Sequence, residues 1–451
     1  MKSKKEKLME NDVKTDIPED EQKTHAEESE EKTNNTLTQK INSINVWAQR
    51  RREENDIVFK EPLTPAPAVD ETQPLRKGSV DMWFLFWAMI LMCFGAIMSY
   101  SASAVYAEQV ENVNATHYLW EYITFTVIAG VITVPFVIFA RPWHWRIFGA
   151  GSYVVAIFLL ILVLFIGIKD PQSSAAQRWI SIGGFFTIQP SEIAKLALVM
   201  MLALYMSKYE KQITSYGKFT GCFKHGFFAP MTIIGILGVL IALEGHISGL
   251  MIIAILGVTV MFVGGSRPKY LLIMFAIIAV AFLLLVAVSS YAQSRIEMWW
   301  HPENDPQGKG WQTLQGLYAI GSGGFFGLGL GFSRQKFGYV SQPQNDFIFT
   351  IICEELGFMG ALLVILLFAL LIWRGIKIGQ HAPDKFSALV VWGLTFKIAI
   401  QVLLNIAVVT NTIPNTGITL PFFSAGGTSQ IIQLFELGII LSISRFSTQK
   451  K

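Results

Sequence analysis

Residues 345–374 run NDFIFTIICEELGFMGALLVILLFALLIWR. The acidic residues all lie within the first eleven positions, apolar residues fill the rest, and Arg374 closes the run. A helix that crosses a bilayer needs about 20 mainly apolar residues, so this stretch predicts a spanning helix over 347–373. The same rule applied in both directions finds nine more, near 82–104, 118–139, 147–167, 190–207, 227–243, 248–264, 270–290, 386–410 and 427–445. Of 451 residues, 52% are hydrophobic and 15% charged, against about 25% charged in soluble domains. A single soluble domain is excluded. So is an outer-membrane barrel, whose strands would alternate apolar and polar.

The segments between spans sort by charge. Those holding RPWHWR (141–146), SKYEKQITSYGKFTGCFKH (207–225), SRPK (266–269) and WRGIKIGQHAPDK (373–385) are basic. They alternate with 107–117, 168–189, 244–247, 291–346 and 411–426, which are acidic or mostly neutral. Lys and Arg mark cytoplasmic loops. The fold class is therefore an all-α polytopic membrane protein with ten transmembrane helices, both termini cytoplasmic, and a large extracellular loop between spans seven and eight. That loop, 291–346, carries Trp299, Trp300, Trp311 and the run GSGGFFGLGLGFS, and loops so long are commonly functional.

Residues 1–80 hold 31 of the 69 charges in the chain and form a different region. Residues 1–40 have the polar composition of a disordered segment, 41–60 contain the basic stretch INVWAQRRREEN, and 61–78 are a proline-rich linker. The organisation predicted is a cytoplasmic tail (1–80), a membrane domain (81–447) and a short cytoplasmic tail (448–451), with no cleavable signal peptide ahead of the first span. Cys93, Cys222 and Cys353 have neither disulfide nor metal-cluster spacing. Nothing points to nucleic acid.

Charges inside spans cost about 2.5–3.5 kcal/mol each on insertion scales and are functional candidates for that reason. Glu192 and Lys195, in IQPSEIAK, are three apart and can neutralise one another on a helix. Glu244 and His246 sit in the tight turn LEGHISG. Glu354 and Glu355 fall about 12–13 Å deeper than Asp346 and about 80° and 180° around the helix from it, so the three do not make one site. Their partners are sought on the ninth and tenth spans, where Lys397, Gln401 and Asn405 make one polar stripe and Gln433 and Glu436 another. The plain reading is a polar network gluing the bundle. Asp346, at the outer mouth, suits a general base on a substrate hydroxyl or an ordinary helix N-cap. Arg178, Arg334 and Lys336 lie on the same side, as cations for an anionic headgroup. From the residues alone, a lipid-phosphate enzyme and a transporter of an anionic lipid or solute both fit.

Three longer motifs narrow this. RWISIGGFFTIQPSEIAKLAL, GLGLGFSRQKFGYVSQPQNDFIFTIICEELGFMGALLV and IPNTGITLPFFSAGGTSQ together resemble the SEDS family (shape, elongation, division and sporulation), over about residues 82–447. The resemblance is nearest to the division-type members. It implies ten spans and a peptidoglycan glycosyltransferase that joins lipid II at the outer leaflet. It also implies Asp346 as the base on the acceptor hydroxyl, with undecaprenyl pyrophosphate as leaving group. Arg178 and Lys336 match family cations suited to that pyrophosphate, with Arg334 and Ser424 beside them, while Gln335 belongs to the structural motif that carries Lys336. Pro414, Gly417, Pro421 and Ser424 match a loop that shapes the cavity floor, which Gly426 and Gly427 continue. No particular cofactor is implied; a divalent cation beside the pyrophosphate is compatible with the site, whose carboxylates are too few to demand one. The resemblance implies a class B penicillin-binding protein (a transpeptidase) and other divisome membrane proteins as partners. Two departures stand out: Ala175 replaces a family glycine, and Gly245–Gly249 replaces a PDxGT turn, putting His246 where the family has aspartate. A lipid II flippase and a non-catalytic divisome scaffold are the rival readings.

Overall fold

The computed structural model describes residues 78–169, 177–182, 186–214 and 222–446. The expectations for residues 1–77, for Ala175 and for 448–451 lie outside the described residues.

The chain starts with α1 (Met82–Gln109), α2 (His117–Phe139) and α3 (Pro142–Ile166). Asp81 caps α1, its carboxylate accepting from Phe84 N at 2.9 Å, and Pro142 opens α3 where its missing N–H has no cost. An all-α fold fails at the next segment. β1 (Ile168–Lys169), β2 (Gln177–Ile182) and β3 (Phe186–Ile188) form an antiparallel sheet in that order, with Ile180 opposite Ile188. Trp179, Ile180 and Ile182 are residues that favour a pleated, half-buried surface, and the segment is too short and polar to span.

Next come α4 (Pro190–Lys208), a short α5 (Glu210–Thr214), a π-helical turn (Lys224–Phe228), α6 (Ala229–Leu243), α7 (Ile247–Val263) and α8 (Pro268–Val288). The long loop after α8 is itself helical in part, as α9 (Ser290–Trp300) and α10 (Trp311–Ser322). α11 (Ile348–Gln380), α12 (Lys385–Val409) and α13 (Gly427–Ser444) complete the bundle. Among the described residues nine helices are long and apolar enough to cross a membrane, and α7, at 17 residues, is a shorter apolar helix. α4, α12 and α13 are mostly buried, whereas α2 and α8 present most of their surface outward. α2 packs on α13, α3 on α4, and α12 on α4, α7 and α11.

α11 is broken at Gly357, whose φ of 67° and ψ of −164° are not helical. The glycine-rich run fills the break. Leu328 N and Gly329 N donate to the carbonyls of Glu354 and Glu355 at 2.9 Å each, and Phe358 N and Met359 N donate to Gly324 O and Phe325 O at 3.0 and 3.2 Å. The backbone groups released by the kink are thus satisfied by a neighbouring strand of chain, as backbone at membrane depth requires. A Cβ at Gly323 would lie 1.9 Å from Cys353 O, and one at Gly327 2.2 Å from Glu355 O. These glycines exist for close approach.

Candidate active site

Asp346 stands at the N-terminal end of α11, half-buried, one residue before the helix cap at Phe347. It is not the N-cap, so that plain reading of its carboxylate does not hold. Its backbone is fixed from behind: Asn405 Nδ2, on α12, donates to Asp346 O at 2.8 Å and to Ile418 O at 2.6 Å. Facing its side chain is the loop after α12. Gly417, with φ of 66°, approaches so closely that a Cβ there would lie 3.2 Å from Asp346 Oδ2. Ser424, buried in the same loop, donates to Asn345 O at 2.7 Å and accepts from Leu420 N at 2.8 Å, while Ala425 N donates to Gln344 O at 2.8 Å. Ser424, expected to touch substrate, ties the loop to the Asp346 turn. Pro421 is buried beside it and Pro414 half-buried. Phe422 is held at φ of 66° because Tyr122 OH donates to its carbonyl at 2.7 Å and Gln433 Oε1 accepts from its N–H at 3.1 Å.

Among the described residues, the partners of Glu354 and Glu355 are not on α12 or α13. They come from the loop that precedes Asp346. Glu354 accepts from Arg334 N at 3.0 Å, Gln335 N at 3.3 Å and the Ser333 hydroxyl. Glu355 accepts from Ser101 Oγ, on α1, at 2.7–2.8 Å and pairs with Lys336 Nζ at 3.0 Å. Lys336 also donates to Gly331 O at 2.7 Å. A cation expected to meet pyrophosphate is thus buried and committed to a carboxylate. Arg334 differs, since its main chain is anchored but its side chain is exposed.

A second charged cluster lies deeper. Lys195 Nζ meets Glu192 Oε1 at 2.6 Å, Lys397 Nζ meets Glu436 Oε1 at 2.6 Å, and Lys397 reaches Glu192 Oε2 at 3.9 Å. Two cations and two carboxylates neutralise one another across α4, α12 and α13, the polar glue read from the sequence. A small cavity is lined by Glu192, Lys195, His246, Gln401, Gly417 and Ile418, with Ser248 and Gly249 of the 244–249 turn also in its lining. The Ser248 hydroxyl donates to Thr416 O, and Arg178, half-buried on β2, donates to Gly245 O at 3.4 Å. The turn therefore joins the Arg178 strand to the Asp346 loop. Burial pushes the Glu244 carboxyl up to about 8 against the opposing pull of Arg178, and burial, helped by Arg178, holds the His246 imidazole down near about 3.

The sequence of the whole helical region decides the family. Residues 81–449 match the family described as cell cycle protein, whose members are FtsW, RodA and SpoVE. The chain belongs to this family. Stage V sporulation protein E of Bacillus subtilis is 40% identical over 372 residues, 82% of this chain and 99% of that one. A probable peptidoglycan glycosyltransferase FtsW of Trichlorobacter lovleyi is 35% identical over 373 residues, 82% and 95% of the two chains. The fold matches a chain from a structure described as the coordination of polymerization and crosslinking by a peptidoglycan synthase complex. That match has TM-score 0.67 and 23% identity, covering 82% of this chain and 99% of the other. It also matches the rod shape determining protein RodA of Thermus thermophilus, with TM-score 0.59, 22% identity and coverage of 82% and 98%. The SEDS resemblance is therefore membership, in a chain whose many apolar helices make it a multi-pass bacterial membrane protein.

In this family member, sequence reasoning missed the groups that hold the site rather than line it. Asn405 was legible only as one step of a polar stripe, and Ser101 and Ser333 carried no signal. Their partners are more than 200 and about 20 residues away in sequence, and only packing brings them together.

Proposed function

We propose that the chain is a peptidoglycan glycosyltransferase that polymerises lipid II at the outer leaflet during cell division. It would have ten spans and both termini in the cytoplasm. The observation that carries the reading is Asp346: a half-buried carboxylate on an outward turn, its backbone clamped by Asn405 and its side chain against Gly417. Asp346 takes the proton from the 4-hydroxyl of the acceptor N-acetylglucosamine. That oxygen bonds to the anomeric carbon of the donor muramyl sugar, whose bond to the pyrophosphate oxygen breaks. Undecaprenyl pyrophosphate leaves with the electron pair. The guanidiniums of Arg178 and Arg334 suit the charge that grows there, while Lys336 acts through Glu355 to position the loop.

A flippase would use Lys195, Glu354, Glu355 and Lys397 as a polar path, yet these groups are engaged with one another and with loop backbone. That supports polymerisation over flipping. A class B penicillin-binding protein is the proposed transpeptidase partner, beside other divisome membrane proteins, and the septum is the proposed location. The cytoplasmic tail is the proposed docking segment.

The test is glycan synthesis from fluorescent lipid II by the purified protein with its transpeptidase, resolved on a gel. Wild type should give a ladder and Asp346→Asn none, at equal folded protein. Equal ladders from both would remove Asp346 as the base. No ladder from either, with the partner bound, would favour flippase or scaffold.

A further inference from the structure

Three helix ends meet at the far end of α11 from Asp346: the start of α1 and the last turns of α11 and α13. Between them lies a cleft of about 320 Å³ lined by Asp81, Arg374, Lys377, His381 and Arg445. Helix C-termini attract cations, which accounts for Arg445, whose guanidinium donates to Val137 O and Ile138 O at 2.7 and 2.8 Å. Arg374 is held by Asp81 at 2.8 Å. Lys377, in the last turn of α11, has the same helix-end attraction but no backbone carbonyl to hold its ammonium among the described residues. It is exposed, pairs with no carboxylate among the described residues, and lies 5.4 Å over the Trp373 ring. The lining thus sets three permanent cations against one carboxylate.

Two further features place this cleft at a bilayer surface. Trp83 and Trp373, each within a turn of the lining, are exposed, as interfacial tryptophans are. From the rim, Met82, Phe86 and Met89 recur at i, i+4 and i+7 along α1 and all face outward, making an apolar track away from the charges. We infer that this cleft binds the phosphate of an anionic phospholipid headgroup, through Lys377 with Arg374 and Arg445 behind it, while the acyl chains follow the Met82–Phe86–Met89 stripe. Basic clefts between transmembrane helices take such headgroups. The proposed orientation assigns the lipid to the inner leaflet; the binding itself does not depend on the polymerase reading.

Native mass spectrometry of the full chain in detergent, titrated with phosphatidylglycerol, phosphatidylcholine or inorganic phosphate, tests it. Wild type should retain one phosphatidylglycerol in preference to phosphatidylcholine. Affinity should fall about fivefold in Lys377→Ala and about thirtyfold in Lys377→Glu, and return in Lys377→Arg. Lipid II polymerisation should be unchanged in each, which also shows that they fold. Equal retention of the two lipids, or no effect of Lys377→Glu, would overturn the inference. Inorganic phosphate competing as well as the lipid at equal concentration would reassign the cleft to a soluble anion. A carbodiimide cross-link from Lys377 to a carboxylate of residues 1–77 in lipid-free protein would give the cleft to the chain's own tail and equally overturn it.

Discussion

Lys336 and Glu355 form a buried ion pair, Nζ to Oε1 at 3.0 Å, that ties the loop leading to Asp346 onto the broken helix it begins. Ser101 supports the pair from α1. Removing one partner leaves the other charge buried, which costs about 3–5 kcal/mol. Lys336→Met should therefore lower the melting temperature sharply and Lys336→Met with Glu355→Gln much less. A calorimetric or fluorescence melt of the two variants tests the pair, and lipid II polymerisation by the double variant decides between this positioning role and a direct contact with pyrophosphate. Were Lys336 a pyrophosphate contact, the double variant would regain stability without regaining activity.

Asn405 is expected to set the Asp346 geometry. Asn405→Ala withdraws the donor from two carbonyls, Asp346 O and Ile418 O. A misplaced base slows chemistry more than it weakens binding, so kcat should fall about tenfold to a hundredfold with KM for lipid II little changed. Initial rates across lipid II concentrations measure it, and an effect confined to KM would refute it.

The break in α11 depends on Gly357. A Cβ there would lie 2.3 Å from Gly327 N and 2.6 Å from Phe325 O, at a backbone angle that side chains rarely adopt. Gly357→Ala should cost about 2–3 kcal/mol or more and free the 323–333 run. Limited proteolysis of that run, resisted by wild type and rapid in the variant, is the measurement.

The turn between α6 and α7 predicts a pH signature with two signs. Glu244 has its folded value raised to about 8 from 4.5, so its contribution to stability is present below about 4.5 and lost as pH rises through about 8. His246 is depressed from 6.5 to about 3, so its contribution is present above 6.5 and lost as pH falls toward 3. Glu244→Gln should gain on wild type as pH rises from 5 to 9, and His246→Gln should gain as pH falls below 6. Melts across that range test both, and parallel curves would remove the assignment.

Lys397 shares the deeper cluster with Glu436 and Glu192. Lys397→Met should destabilise by about 3–5 kcal/mol, and adding Glu436→Leu should restore most of it. A double-mutant cycle in detergent reads the coupling, and additive losses would mean the two do not act as a pair.

Much of this was open to inspection in the residues themselves. The spans follow from unbroken apolar runs such as 356–373, because a bilayer leaves an uncharged helix of that length few alternatives. Glu192 with Lys195 was readable because three residues on a helix bring side chains together whatever surrounds them. Asp346 was visible as a carboxylate where a polar loop turns into an apolar run. What depended on tertiary structure is every pairing across a long separation. Sequence alone points Glu354 and Glu355 toward the polar residues of the ninth and tenth spans, Lys397 among them. The kink at Gly357 lets the 323–336 segment enter the bundle and supply Lys336, Ser333 and backbone N–H groups instead. A glycine run says that backbone comes close to something. Only the packed helix says to what, because an approach of two backbones is a property of both and is written in neither.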